Sequence, residues 1–478
     1  MNLAMLLDMA ADGLGDRVAI GGHDDGLTYE QLRRAARGIA DRVTHAGADH
    51  LALIEPNGPL VPASLFGAAW AGVSYAPLNY RLPDEALQDL VARIKPSITA
   101  GEHWIDPDSG SERAYPEDPA LPAVLLFTSG TSAAPKAALL QHDQLLAYIF
   151  NTVEFGSSGE DEATLMSSPP FHIAGVTAML SSTYSGRRVV PLARFTPEDW
   201  IALARRESVT HAFVVPTMLA RIVKVMETDP EARVPSLRSL VYGGARVNLP
   251  VLEKALELFP DTDFVNAYGL TETSSTVALL GPDDHRLAMY SDDPVWTARL
   301  SSVGQAVPGI EIRIADPAGA DLGIDTPGEI LLRGAQVSGE YADVASKTDA
   351  EGWLHTGDRG WVDVDGYLFC EGRADDTIIR GGENIGPAEI EDTLLTHDAV
   401  ATACVVGLPD PEWGERIVAA ITVRADVPDL DLEHVRDWVR ERVGSLKTPE
   451  EIRVVEELPQ TATGKILRRQ VRDDFAAG

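Results

Sequence analysis

Residues able to handle phosphate and carboxylate groups recur along this chain in loop-like settings. The first set lies in Leu125–Ala138, LLFTSGTSAAPKAA. An apolar run over Ala123–Phe127 suits a buried strand. It breaks into Thr128, Ser129, Gly130, Thr131 and Ser132, and then Ala133-Ala134-Pro135-Lys136. Such a loop can turn backbone N–H groups, hydroxyls and one ammonium onto a phosphate chain. No G-x-x-x-x-G-K-[ST] pattern can be read through it, so it is not a loop of the Walker type. Glu272, closing Tyr268-Gly269-Leu270-Thr271-Glu272, offers a carboxylate for Mg²⁺, which favours a carboxylate together with phosphate oxygens. Asp358 and Arg373 are an acceptor and a donor suited to a ribose diol. His172 follows Pro169-Pro170-Phe171 and can border an acyl pocket. Taken singly, each has a plainer reading: a surface turn of small residues, a capped turn, a packed histidine. Lys136 and Lys465 stand out because lysine is scarce and both lie in glycine- or threonine-rich loops.

These residues need elements to hold them. Leu27-Thr28-Tyr29 followed by Gln31–Val43 reads as a capped amphipathic helix. Strand-like and helix-like runs then alternate, from Leu51–Ile54 and Pro59–Gly72 as far as Asp263–Ala267. This indicates an α/β layer with parallel strands. Four strand-like runs end in loops of polar and glycine chemistry, at 128–136, 168–172, 243–245 and 268–273. Ligands bind outside the carboxyl ends of strands in an open parallel sheet, so the four loops are expected to share one cleft. Residues 281–372 change texture. Gly-Pro, Asp-Pro and Gly-Ala turns separate short β-type runs there, which suits a small antiparallel subdomain carrying Thr356-Gly357-Asp358. The polar stretch Gly372–Thr377 marks a boundary, and the expected domains are 1–373 and 374–478. The second has its own alternation: a helix at Ala388–Leu395, strands at Val400–Val406 and Ile417–Val423, a helix at Leu432–Val443 and a strand at Ile452–Val455. That is enough for a small α+β domain with its own core.

Composition sets bounds on function. A chain of 478 residues exceeds one ordinary core. Its hydrophobic content of 45% is globular, with no uninterrupted apolar stretch long enough to span a bilayer. Met1-Asn2-Leu3-Ala4 shows no cationic region, and Phe475–Gly478 matches no address signal, so a cytoplasmic location is expected. The 2 cysteines, Cys370 and Cys404, exclude a disulfide framework and a CxxC metal site. The net charge of −33 argues against a nucleic-acid or anionic-membrane partner. It does not exclude small anionic substrates, because a few cations in a cleft suffice.

Taken together and in this order, the motifs resemble the adenylate-forming superfamily, in particular its acyl-CoA synthetase branch. Thr128–Lys136 is similar to the family's phosphate loop, Pro170-Phe171-His172 to its acyl-site motif, and Gly243-Gly244-Ala245 to its adenine-contacting segment. Tyr268-Gly269-Leu270-Thr271-Glu272 matches the YGxTE motif, Thr356-Gly357-Asp358 the TGD motif, and Gly372-Arg373 the start of the hinge motif. The resemblance implies an α/β fold with a large N-terminal domain, parallel-rich sheets layered with helices, an antiparallel subdomain and a small mobile α+β C-terminal domain. It implies ATP, Mg²⁺ and CoA as reactants or cofactors, a carboxylic acid as substrate, and a homodimer as a possible assembly. Lys465, Thr131 and His172 would stand at the reacting groups. Nucleotide contacts would come from Thr128, Ser129, Gly130, Thr131, Ser132, Lys136, Gly243, Gly244, Ala245, Tyr268, Gly269, Thr271, Asp358 and Arg373, with Glu272 also holding the metal. Asp375 would be the hinge. Gly381, Gly382, Glu383 and Trp413 resemble the branch's CoA site, although a plain β-turn and a packing tryptophan read equally from the residues. Phe171, His172, Val176, Val215, Tyr242 and Gly244 would line the acyl pocket. The chain departs from the family pattern at Ala133 and Ala137, which replace loop glycines, at Gln460, and at Ile379 beside Arg380. An amine in place of CoA, or a non-catalytic sensor that kept the fold, are the alternative expectations.

Overall fold

Apolar runs and their turns organise the chain into four sheets in the computed structural model, which describes residues 1–108, 110–128, 135–229, 231–424, 430–461 and 464–477. The largest sheet has nine strands. Its centre is parallel: Asp263–Leu270, Ser239–Gly243, His211–Val214, Ala163–Met166 and Arg188–Pro191 lie side by side. Ser275–Leu280 turns back antiparallel against Asp263–Leu270. A second sheet aligns Ser97–Thr99, His50–Leu53, Ser74–Pro77 and Val124–Thr128 in parallel and ends on the antiparallel strand Lys136–Leu140. The third is antiparallel throughout: Ile310–Ala315, Gly328–Gly334, Leu354–Val362 and Leu368–Arg373. The fourth belongs to the C-terminal part and is built on Val400–Asp410 and Gly414–Val423.

Local chemistry explains the elements that matter most. The helix Tyr29–Ala46 starts at a capping box: Gln31 N–H donates to Thr28 Oγ1, and Gln31 Oε1 accepts from Thr28 N–H. It stops at Gly47 in the left-handed conformation, φ 63°. Leu60–Ala71 is apolar on every side, and all of it except Ala71 is buried in the core shared by the first two sheets. The C-terminal part has a separate apolar cluster around Ile390, Val405, Ile417 and Val435. Between the two parts, Leu368–Arg373 ends the third sheet, a 3-10 turn covers Ala374–Asp376, and Ile378–Arg380 opens the fourth sheet. Among the described residues no helix is long and apolar enough to cross a membrane.

The structure differs from the sequence expectation in four places. The phosphate-type loop does not leave the sheet that carries the other three loops. It joins the two strands of a hairpin in the second sheet, with Thr128 opposite Lys136. The strand ending in Tyr268 runs on to Leu270, because Ser275–Leu280 supplies a hydrogen-bonding partner. Thr356-Gly357-Asp358 lies within the strand Leu354–Val362, where no element was assigned. Helices form at Pro282–Tyr290, Pro294–Arg299 and Arg468–Ala476, where turns or no element were expected.

Candidate active site

Glu272 sits in the single 3-10 turn Thr271–Thr273 at the end of the long strand Asp263–Leu270. The turn is held from several sides. Thr273 Oγ1 accepts from Leu270 N–H at 2.9 Å, and the Gln336 amide donates to the carbonyls of Thr273 and Thr276 at 3.0 and 2.9 Å. Ser274 and Ser275 take positive φ, 53° and 126°, which is strain stored beside a polar site. At the adjoining bulge a Cβ on Gly269 would lie 1.9 Å from the Ser275 carbonyl, so only glycine fits. The Glu272 carboxylate is largely buried. Its Oε1 accepts from the Tyr341 hydroxyl and, at 3.0 Å, from the Lys347 ammonium. Burial alone would raise its pKa. The Tyr341 hydroxyl and Lys347 charge outweigh that and hold the carboxyl below its ordinary value.

The hairpin strand is stitched to this carboxylate. Ser338 Oγ donates to the Leu139 carbonyl at 2.7 Å, and Ser338 N–H donates to the Glu272 carbonyl, also at 2.7 Å. Leu139 N–H donates to Glu340 and Ala342 N–H to Ala137. So the strand carrying Lys136 reaches Glu272 through residues 338–342, although the two come from different sheets. Thr128 Oγ1 donates to the Lys136 carbonyl at 3.4 Å. Arg93 closes the far end by donating to the Pro135 carbonyl at 2.9 Å and pairing with Asp343 at 2.6 Å. Ser129, Gly130, Thr131, Ser132 and Ala133 lie outside the described residues.

A second carboxylate lies at the register pair between two strands of the third sheet, Asp358 opposite Arg373. Asp358 is buried, with 5% exposure. Its Oδ1 accepts from Arg373 at 3.0 Å and its Oδ2 from the Tyr268 hydroxyl at 2.7 Å. Arg373 also donates to the Thr356 carbonyl at 3.0 Å. Gly357 has φ 70°, and a Cβ there would stand 3.0 Å from Arg373 Nη2. The Tyr268 phenol is pushed up by burial and by the Asp358 charge, and stays a donor. A carboxylate has about four acceptor positions, so Asp358 keeps room for a diol.

His172 and Lys465 belong to the two parts of the chain, and the lysine charge bears on the imidazole. Burial lowers the His172 imidazole and the nearby Lys465 charge lowers it further, so it is neutral near pH 7. Lys465 follows Gly464, which has φ 80° and packs on Thr217 so closely that a Cβ would lie 2.2 Å from Thr217 Oγ1. Thr461 N–H donates to the Lys465 carbonyl at 2.8 Å and Lys465 N–H to Thr461 Oγ1 at 3.1 Å, folding the lysine onto a tight turn. Val215 and Gly244 face one another: a Cβ on Gly244 would be 3.7 Å from Val215 Cγ1. Gly243 passes so close to Ala267 that a Cβ would lie 2.2 Å from its carbonyl oxygen, and Gly244-Ala245 is exposed. Phe171 meets Tyr80 edge to face, with ring centroids 5.7 Å apart.

Two expected pocket residues belong to the core instead. Tyr242 has 0% exposure, and its hydroxyl is 2.9 Å from His285 Nε2, so it cannot line an open cavity. Val176 is also buried in the core, on the helix Ile173–Ser185. In the C-terminal part, Gly381 and Gly382 have φ 59° and 85° and make the two-residue turn of a hairpin ending at Glu383. Gly381 N–H donates to the Trp413 carbonyl at 2.8 Å, the Arg380 guanidinium lies 5.3 Å from the Trp413 ring centroid, and the ring is 41% exposed. Asp375 is exposed in the 3-10 turn between the domains. Sequence reasoning missed Tyr341, Lys347, Arg246 and Asp392. For Lys347 a signal was present: it is one of few lysines and stands between Ser346 and Thr348.

Among the described residues no group of three or more histidine, cysteine or acidic side chains gathers to cage a metal. A single ionised carboxylate such as Glu272 is instead the kind of donor Mg²⁺ uses when phosphate oxygens complete its shell. Comparison with known proteins gives the family. The AMP-binding enzyme family matches residues 7–106 and 99–342, and the AMP-binding enzyme C-terminal domain matches 389–465. Feruloyl-CoA synthase of Amycolatopsis sp is 32% identical, with 94% of each chain covered. The o-succinylbenzoate CoA synthetase of Bacillus subtilis, solved with its acyl-adenylate intermediate and with ATP and a magnesium ion, is 28% identical in both cases. Those two structures cover 98% of this chain and 98% and 99% of their own, at TM-scores of 0.83 and 0.81. The amide bond synthetase of Marinactinospora thermotolerans is 27% identical, with 99% of each chain covered and a TM-score of 0.84. This chain belongs to the adenylate-forming superfamily, in its acyl-CoA ligase branch. It is an AMP-forming ligase that activates a carboxylic acid with ATP and passes the acyl group to CoA.

Proposed function

We propose that the chain is an aryl-type acid–CoA ligase in which two half-reactions share one site and the C-terminal domain turns between them. The observation that carries this reading is the packing of the turn that bears Lys465, through Gly464, on Thr217, two residues beyond Val215. In the first half-reaction a substrate carboxylate attacks the α-phosphorus of ATP and pyrophosphate leaves. Three anionic groups meet, so preorganised positive charge lowers the barrier most. Lys465 bridges the carboxylate and the α-phosphoryl oxygen. Thr128–Lys136 takes the β- and γ-phosphates, with Thr131 beside them, and Glu272 would hold Mg²⁺, which would supply positive charge to the leaving pyrophosphate. Asp358 accepts from the ribose hydroxyls, positioned by Arg373 and Tyr268, while Gly243–Ala245, Gly269 and Thr271 border the base and phosphates.

Phe171, His172, Val215 and Gly244 form the acyl wall, and a flat ring fits between an imidazole kept neutral and a strand end without side chain. Likeness to feruloyl-CoA synthase supports an aromatic acid. In the second half-reaction the thiol of CoA attacks the acyl carbon and AMP leaves. Rotation at Asp375 withdraws Lys465 and brings Gly381, Gly382, Glu383 and Trp413 toward the site. The test is pyrophosphate exchange with benzoate, cinnamate, phenylacetate and octanoate, followed by mass analysis after adding CoA or amines. Exchange with the aromatic acids and a thioester product are expected; exchange confined to octanoate refutes the aromatic assignment. A second reading, with an amine as acceptor, draws on the likeness to the amide bond synthetase, and an amide product would establish it.

A further inference from the structure

The two domains meet through an ion pair that the reaction chemistry does not require. Arg246 directly follows Gly243-Gly244-Ala245, and its guanidinium pairs with Asp392 on the helix Pro387–Leu395 of the C-terminal domain. The preceding residue on that helix, Glu391, is engaged elsewhere. It accepts from Arg468 at 2.6 Å and from Val405 N–H at 2.7 Å. Arg468 lies three residues beyond Lys465, opens the helix Arg468–Ala476, and stands 3.6 Å from Asp376 in the interdomain turn. Neighbouring carboxylates on one helix thus tie the nucleotide loop to the lysine's turn and to the hinge.

We propose that Arg246 and Asp392 are positioning residues that dock the C-terminal domain in the orientation delivering Lys465, and that their separation accompanies passage to thioester formation. The character of the pair fits a contact broken at each turnover. Its side chains are 40% and 39% exposed, so water competes for both charges. The pair Arg299–Asp363 is built differently, with 2% exposure at the arginine and two aromatic rings over the guanidinium. The docked arrangement has a second contact, Gly464 on Thr217, so two points fix the domain's angle.

This inference rests on the assignment of Lys465 to adenylation. The test uses Arg246→Gln, Asp392→Asn and the exchanged pair Arg246→Asp/Asp392→Arg in the full chain. Pyrophosphate exchange is followed with the panel acid that exchanges fastest in the wild type. Thioester formation is followed from its synthetic adenylate and CoA, and trypsin cleavage after Arg373 and Arg380, which flank the interdomain turn, is followed with and without MgATP. Each single variant is expected to slow exchange about twofold to fivefold, the range an exposed pair supports. Thioester formation should not fall, turn cleavage under MgATP should quicken, and the exchanged pair should restore exchange. Loss of exchange in Arg246→Gln without loss in Asp392→Asn would make Arg246 a nucleotide contact and overturn the docking role. Equal loss of both half-reactions, or no rescue by exchange, overturns it as well. Lys465→Ala separates the two ideas: if that variant keeps its pyrophosphate exchange, the assignment of the lysine fails. If it loses exchange while both single variants match the wild type, only the docking fails.

Discussion

Replacing Gly464 by alanine tests the approach of the lysine turn to the acyl site. Two costs arise. The first is backbone strain at φ 80°, about 1–2 kcal/mol for a residue with a Cβ, present wherever the domain sits. The second is steric. The new Cβ would lie 2.2 Å from Thr217 Oγ1, 3.1 Å from its Cβ and 3.2 Å from its Cγ2, and this cost exists only while the turn is docked. Forcing extra volume into a tight contact costs about 1–3 kcal/mol, so adenylation should slow by about fivefold to a hundredfold. Thioester formation from supplied acyl-adenylate should be spared. Thr217→Ala removes the closest atom, so the double variant should regain most of the exchange while keeping the stability loss of Gly464→Ala. Pyrophosphate exchange measured beside thermal unfolding separates the two costs. Wild-type exchange in Gly464→Ala, or a double variant no better than the single, would refute the docked geometry.

Asp375→Pro should leave adenylation intact and block thioester formation, because proline restricts φ where the domain turns; equal loss in both half-reactions would argue against a hinge at that residue. Lys347→Met removes the cation from Glu272 and leaves burial opposed chiefly by the Tyr341 hydroxyl. The carboxyl then rises, and the acid limb of the exchange rate should move to higher pH, as a pH–rate profile would record. His142 is buried, with 4% exposure, and burial lowers its pKa from 6.5 to about 4. The unfolded chain therefore binds the extra proton between those values, so stability falls as pH drops through that window, by up to about 3 kcal/mol. Denaturant unfolding of His142→Asn across the window should show a shallower fall.

Much of the frame was legible because its signals are local. The helices Leu249–Leu258 and Leu432–Val443 and the strand Arg188–Pro191 have the bounds that periodicity and flanking residues indicate. Elements defined by a distant partner were not legible. Lys136–Leu140 becomes a strand because Val124–Thr128 pairs with it, and Tyr268–Leu270 stays extended because Ser275–Leu280 returns alongside. The helix Pro282–Tyr290 was hidden by its own start signals, since Gly281-Pro282-Asp283-Asp284 reads as a turn although proline and acids suit a first helical turn. In the site, the motif residues could be read singly, but Lys347 and Arg246 acquire meaning only from partners 75 and 146 positions away. Tyr242 was misplaced because strand position does not tell which face meets the core.

The two carboxylates proposed to meet the nucleotide each have a cation already, Lys347 on Glu272 and Arg373 on Asp358. The cleft is thus locally balanced in a chain of net charge −33. An incoming MgATP anion is repelled at long range by the rest of the surface, while the two carboxylates proposed to meet it are already paired. Capture should therefore quicken as salt is added, since a Debye length of about 8 Å at physiological ionic strength screens the distant charges and leaves the buried pairs almost untouched.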